Sequence, residues 1–235
     1  MAARERIEAD PYVGPHWSSA ALITIDTQCD TLDGGALEVP GTSAVVPAMT
    51  RLSEGFRAAG RPIVHVVRVY ERDGSNVDSC RRAAVEAGAR MLGPGEAGTE
   101  LAPGLAPAAA PVLDPAALLA GEAQPLGTAE WALYKPRWGA FFGTRLEEHL
   151  RSQGVDTLVF CGCNFPNCPR TSIYEASERD FRVVVVSDAL SGLYERGERE
   201  LAGIGALLLE TDEVLAALGP ARLVGAAGGT GAAGS

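Results

Sequence analysis

Residues 157–188 read TLVFCGCNFPNCPRTSIYEASERDFRVVVVSD. Two apolar runs, Thr157–Cys161 (TLVFC) and Arg182–Asp188 (RVVVVSD), flank an amphipathic stretch that begins near Cys168 and extends to about residue 180. Neither run alternates polar with apolar residues. Strands buried on both faces read in this continuous way, as in a parallel sheet covered by helices.

Outward from this unit the alternation continues in both directions. Strands are expected at Ala21–Asp26 (ALITID), Pro62–Val69 (PIVHVVRV), Trp131–Lys135 (WALYK) and Ala206–Glu210 (ALLLE). Helices are expected at about 44–59, 76–90, 143–153, 195–204 and 211–218. The first has Thr42-Ser43 as N-cap residues and stops at Gly60, before Arg61-Pro62. The predicted fold class is α/β: three layers, doubly wound, around a mainly parallel six-stranded sheet. Residues 91–130, rich in Gly, Pro and Ala, break the rhythm and hold a short helix near Pro115–Ala120. They are read as an insertion or lid on a single domain spanning 1–218. Residues 219–235 form a small-residue tail expected to be flexible.

Composition narrows the class. A hydrophobic fraction of 46% in 235 residues supplies a sizeable core. A net charge of -10 repels phosphate backbones and anionic membrane surfaces, so nucleic acid is an unsuitable partner. No apolar run reaches the roughly 18 residues of a membrane span, and the polar N-terminus lacks the apolar core of a signal peptide. Five cysteines, three of them clustered at Cys161, Cys163 and Cys168, do not suggest a disulfide framework, and a reducing cytoplasm is expected.

In an open parallel sheet, ligands bind at the carboxyl ends of the strands. Asp26 closes the first strand, Lys135 closes the third, and Cys168 follows the fourth across the loop Gly162–Asn167. A thiol at a helix N-terminus beside an ammonium is expected to favour the thiolate. Asp26 would take and return a proton, Lys135 would hold the charges in place, and loop amides would face a developing oxyanion. Taken singly, each group has a plainer explanation: a helix cap, a surface lysine, a small buried hydrophobe. Cys161, inside its strand, is read as such a hydrophobe. Cys29 and Cys80 have no partner pattern. His16, His65 and His149 are not placed for a Cys-His or Ser-His-Asp arrangement. Cys161-x-Cys163 lacks zinc spacing, and DTQCDTLDGG after the first strand matches neither a dinucleotide nor a phosphate-binding loop.

The segments ALITIDTQ, YKPRWGAFFGTRLEEHL and LVFCGCNFPNCPRTSIYEASERDFRVVVVSDAL, in this order, resemble the isochorismatase-like cysteine hydrolases over roughly residues 20–218. The resemblance implies Asp26 as acid/base, Lys135 as its partner and Cys168 as nucleophile. It also implies a cis peptide between Cys163 and Asn164, with the amides of Asn164 and Cys168 as oxyanion hole. Phe165 and Pro169 stand where the family usually has threonine and valine. Relatives of the nicotinamidase kind carry an Asp-x-His metal element after the first strand. Here Asp30-Thr31-Leu32-Asp33 lacks the histidine, so neither a catalytic metal nor another cofactor is expected. Similar proteins form homo-oligomers, and a dimer or tetramer is expected.

The expected activity is Cys168-dependent cleavage of an amide, ureido or N-carbamoyl C–N bond in a small molecule, through a thioester. Arg68, Tyr70, Trp138, Phe141 and Phe165 are the candidate substrate-binding residues. Arg68, Arg72, Arg137 and Arg170 are candidate carboxylate ligands, with Arg68 preferred. Competing readings are vinyl ether cleavage of the isochorismate kind, a noncatalytic α/β binding module, and a redox protein using Cys163 and Cys168.

Overall fold

The computed structural model describes residues 3–219; the tail from residue 220 onward lies outside the described residues. Seven strands form one sheet: β1 (Ala20–Ile25), β2 (Ile63–Val67), β3 (Gln124–Gly127), β4 (Glu130–Tyr134), β5 (Thr157–Gly162), β6 (Arg182–Leu190) and β7 (Leu207–Leu209). Their order is β3-β4-β2-β1-β5-β6-β7. All neighbours are parallel except β3, which runs antiparallel to β4 at the edge. The sheet is thus mainly parallel, as expected, with seven strands rather than six.

The extra strand, β3, has the sequence QPLG. Pro125 cannot donate to a ladder on both sides, and an edge position tolerates that. Nothing in these four residues reads as a strand without β4 beside them. The strand belongs to the segment expected as an insertion, and that segment is tied closely to the body. The amides of Cys29 and Ala102 bond to the carbonyls of Glu100 and Thr27 at 2.8 and 3.0 Å, while Leu105, Leu113 and Leu118 are buried.

Among the described residues eight α-helices accompany the sheet: α1 (Ala3–Glu8), α2 (Thr42–Ala58), α3 (Ser79–Glu86), α4 (Pro115–Leu119), α5 (Leu146–Ser152), α6 (Cys168–Ser177), α7 (Glu195–Gly203) and α8 (Thr211–Leu218). On one face Met49, Leu52 and Phe56 of α2 and Val214 of α8 pack against Leu22, Val159 and Val184. On the other, Leu146 and Leu150 of α5, Ile173 and Ala176 of α6 and Leu201 of α7 pack against Ile23, Phe160 and Val185. Burial of apolar surface on both faces accounts for the unbroken apolar strands.

Three helix starts differ from expectation, α5 beginning at Leu146 instead of near 143. The N-cap of α2 is Gly41, with φ 84°, instead of Thr42 or Ser43; buried Thr42 faces Ser191 at 3.3 Å between hydroxyls. Helix α3 is shorter than 76–90, and its N-cap Asp78 makes no side-chain cap bond because its carboxylate is drawn to Arg68 and Tyr70.

Strand β1 lies at the reversal of the winding: β2 and β4 build outward on one side of it, and β5, β6 and β7 on the other. Such a switch point opens a crevice beyond the carboxyl ends of the strands. Register pairs Ile25 with Val66 and with Gly162, and Val67 with Tyr134. The residues that follow β1, β4 and β5 therefore emerge at one rim.

Candidate active site

Asp26 leaves β1 in the left-handed region, φ 48°, a conformation that Asp and Asn tolerate better than most residues. Its amide donates to the Val66 carbonyl at 2.9 Å. Lys135, fully buried, follows β4 and reaches over β2, placing Nζ 2.8 Å from Asp26 Oδ2 and 3.1 Å from the carbonyl of Arg137. The other carboxylate oxygen, Asp26 Oδ1, is buried without a hydrogen-bond partner. An unpaired buried oxygen on a charged group is costly unless something is to be accepted there.

Cys168 is the first residue of α6, with Pro169 in the first turn, where its missing N–H costs no helix bond. Gly162 ends β5 at φ 126°, where a Cβ would meet Ile25 O at 2.3 Å; only glycine lets the chain turn here toward the nucleophile loop. The Cys163–Asn164 peptide is cis. The amides of Cys163, Phe165 and Asn167 are spent on Ile25 O, Ser191 O and Asn164 O, while those of Asn164 and Cys168 make no backbone hydrogen bond.

Burial pushes the Cys168 thiol up to about 12, and the nearby charge of Asp26 adds to this against the opposing pull of Lys135 and Arg68. Burial thus opposes the helix dipole and the ammonium, which favour the thiolate; the dipole and the ammonium can be read from sequence, desolvation cannot.

The cleft around Cys168 is small, with a volume of about 30 Å³. Asp26, Arg68, Tyr70, Trp138, Cys163, Asn164 and Cys168 line it; so do Arg81 and Asn167, which are not among the sequence-based candidates. Leu37, Val39 and Leu92 supply apolar wall. Leu92 is clamped, its amide on Asp30 Oδ2 at 2.6 Å and its carbonyl on the Tyr70 amide at 2.9 Å. Larger depressions exist, such as one of about 650 Å³ beside α4 and β4, but Cys168 is not in its wall.

Phe141 and Phe165 depart from expectation. Both rings sit in the core on the α5–α7 face and neither lines the cleft. Phe141 packs on Phe181 with ring centres 5.8 Å apart, and Phe165 lies edge-on to Tyr194 at 5.3 Å over Gly197. Proximity in sequence to Lys135 and Cys168 did not decide which way these rings turn.

Among the candidate arginines, only Arg68 reaches the cleft. Arg72 and Arg137 bond to exposed backbone carbonyls, and Arg170 pairs with Glu200 at 2.6 Å. The histidines lie elsewhere: His65 is buried between Thr24 and Glu130, His16 pairs with Asp156, and His149 meets Trp131 edge-on. After β1, Asp30 accepts hydrogen bonds from the amides of Leu92 and Ala36. Among the described residues no cluster of His, Cys, Asp and Glu has metal-binding geometry, and no helix is long and apolar enough to cross a membrane.

A buried carboxylate, ammonium and thiol thus meet at the switch point, beside two amides without backbone partners. The isochorismatase domain model matches residues 20–208. The chain belongs to the isochorismatase family. A probable inactive nicotinamidase of Arabidopsis thaliana is 32% identical over 178 residues, covering 74% of this chain and 81% of that protein. A ureidoacrylate amidohydrolase of Methylobacterium radiotolerans is 27% identical, with coverage of 79% and 69%. The crystal structure of an isochorismatase family protein from Desulfovibrio vulgaris superposes with a TM-score of 0.71 at 32% identity, over 84% of this chain and 98% of that one. Membership of this isochorismatase family, with amidohydrolases among its relatives, places the protein with the hydrolases and small-molecule substrates.

Proposed function

We propose that this isochorismatase-family protein hydrolyses an amide or ureido C–N bond of a small molecule, with Cys168 as nucleophile, Asp26 as acid/base and Lys135 as the cation that holds Asp26 in place. The observation that carries this is Asp26, one oxygen held by Lys135 and Oδ1 without a partner, beside the Cys168 thiol, whose pKa burial raises. A protonated nucleophile needs a base within reach, and a carboxylate with one oxygen fixed and the other free is that base.

The Cys168 thiol gives its proton to Asp26 as Sγ attacks the carbonyl carbon. The resulting oxyanion is received by the amides of Asn164 and Cys168. Collapse breaks the C–N bond, and the departing nitrogen takes the proton back from Asp26, leaving an acyl thioester. Water then loses a proton to Asp26 and attacks the thioester, and the thiol returns with that proton. Lys135 donates to Asp26 throughout and neutralises it in a site too dry for an isolated charge.

One relative is named a probable inactive nicotinamidase, so activity needs direct assay. The experiment is ammonia release from a panel of primary amides, ureides and N-carbamoyl compounds, with wild type beside Cys168→Ala. Ammonia release that disappears in Cys168→Ala supports the proposal. Equal release by both proteins refutes it.

A further inference from the structure

The cleft that holds Cys168 is too small for the reaction proposed for it. A volume of about 30 Å³ has room for about two water molecules, and an amide with any substituent needs more. A second depression, of about 140 Å³, lies beside it, and buried Tyr70 lines both. Residues 91–93 run between the two. Met91 and Gly93 line the outer depression, whereas Leu92, almost fully buried, lines the cleft. Leu92 is thus the partition between a catalytic cleft without room and a depression without catalytic groups.

This partition is latched in place. Leu92 has φ 50°, a left-handed conformation that a leucine keeps only where its surroundings impose it. The Leu92 amide donates to Asp30 Oδ2 at 2.6 Å, its carbonyl accepts from the Tyr70 amide at 2.9 Å, and the Gly93 carbonyl accepts from the Thr99 hydroxyl at 2.5 Å. The Leu92 side chain packs with Tyr70 and Val77 in a small cluster of their own, separate from the cores on the two faces of the sheet. Asp30 can approach because residue 98 is glycine: a Cβ there would collide with its carboxylate. Gly88, at φ 100°, and Gly95, at φ 72°, flank the partition and give the chain two points about which to swing.

We propose that Leu92 is a gate with Asp30 as its latch, and that residues 88–95 swing aside to join the outer depression to the cleft. The scissile bond then reaches Cys168 while the rest of the substrate lies beyond Leu92, in the outer depression. Leu92 thereby sets the size of substrate that enters. Closed, the gate keeps bulk water from the Asp26–Lys135 pair and the thiol; open, it admits substrate and releases product. The bond that is cleaved rests on the hydrolase proposal above; the gate rests on the two cavities and the chain between them.

N-Ethylmaleimide is larger than the closed cleft and reports opening without any substrate. Its double bond takes up the thiol, the S–C bond forming at one carbon and the thiol proton passing to the other. Peptide mass spectrometry resolves the rates at three cysteines: Cys168 in the cleft, exposed Cys80 as the reference for the reagent, and Cys161, buried in β5, as the reporter of global unfolding. Wild type should be modified at Cys168 well ahead of Cys161. Leu92→Ala trims the gate and Asp30→Ala removes the latch. Each should raise the Cys168 rate, relative to Cys80, by about tenfold or more with Cys161 still protected, the factor that follows from losing much of a leucine's burial or a hydrogen bond to a carboxylate. Equal rates at Cys168 and Cys161 in wild type overturn the proposal without any variant. A rise in Leu92→Ala that Asp30→Ala does not share also overturns it, because Leu92 would then be a fixed wall. Failure of the hydrolase proposal would appear separately, as amide hydrolysis that survives Cys168→Ala.

Discussion

Replacing Lys135 by Met leaves Asp26 in a dry site without its cation. The pair is 2.8 Å apart, with Lys135 fully buried. At an effective dielectric near 20 their attraction is about 6 kcal/mol. Breaking one half of a buried pair leaves the other charge uncompensated and costs about 3–5 kcal/mol, so Lys135→Met should be destabilised by about that much. Urea unfolding measures it, with Asp26→Asn/Lys135→Met as control; Asn suits the left-handed backbone at this position and carries no charge, so the double variant should recover part of the loss. A Lys135→Met variant as stable as wild type, or no less stable than the double variant, would refute the reasoning.

Other outcomes follow from the same contacts. Burial pushes the Cys163 thiol up to about 11 from a usual value of 9.0, so the folded chain keeps a proton that the unfolded chain gives up. Stability should fall between pH 9 and 11 by roughly 2–3 kcal/mol from this residue, and thermal melts of Cys163→Ser should show a shallower alkaline decline. Gly162→Ala should cost more than an ordinary surface change, because the new Cβ would meet Ile25 O at 2.3 Å in a backbone conformation closed to alanine; urea midpoints report it, and a neutral effect would mean that the loop yields freely. Phe165→Ala should cost about 3–5 kcal/mol of stability, since its ring is fully buried in the core. A changed substrate preference with stability intact would return Phe165 to the cleft.

Much of the fold was legible because its central strands announce themselves. Ala20–Ile25 and Thr157–Gly162 are buried at every position, and continuous apolar runs are what burial on two faces requires. β3 was not legible: four residues with a proline and a glycine become a strand only through pairing with β4. Asp26, Lys135 and Cys168 could be picked out because strand ends point to one rim. Orientation off the strands was harder. Phe141 and Phe165 follow loops with no periodicity to tell core from cleft, and each turned inward. No local pattern marks Arg81 as part of the cleft wall, because its place there depends on facing Tyr70 and Asp78 across the turn from β2 into α3. The state of the Cys168 thiol depends on desolvation, a property of the packed site that no local pattern encodes.

The most direct test of the account is acid quenching of wild type during turnover of whichever amide or ureide releases ammonia, followed by mass spectrometry of the peptide containing Cys168. A thioester mechanism predicts that this peptide carries the substrate's acyl mass, that the adduct disappears on treatment with hydroxylamine, and that Asp26→Asn greatly slows its formation. Turnover with no acyl mass on Cys168 at any quench time, together with undiminished ammonia release by Cys168→Ala, would contradict it.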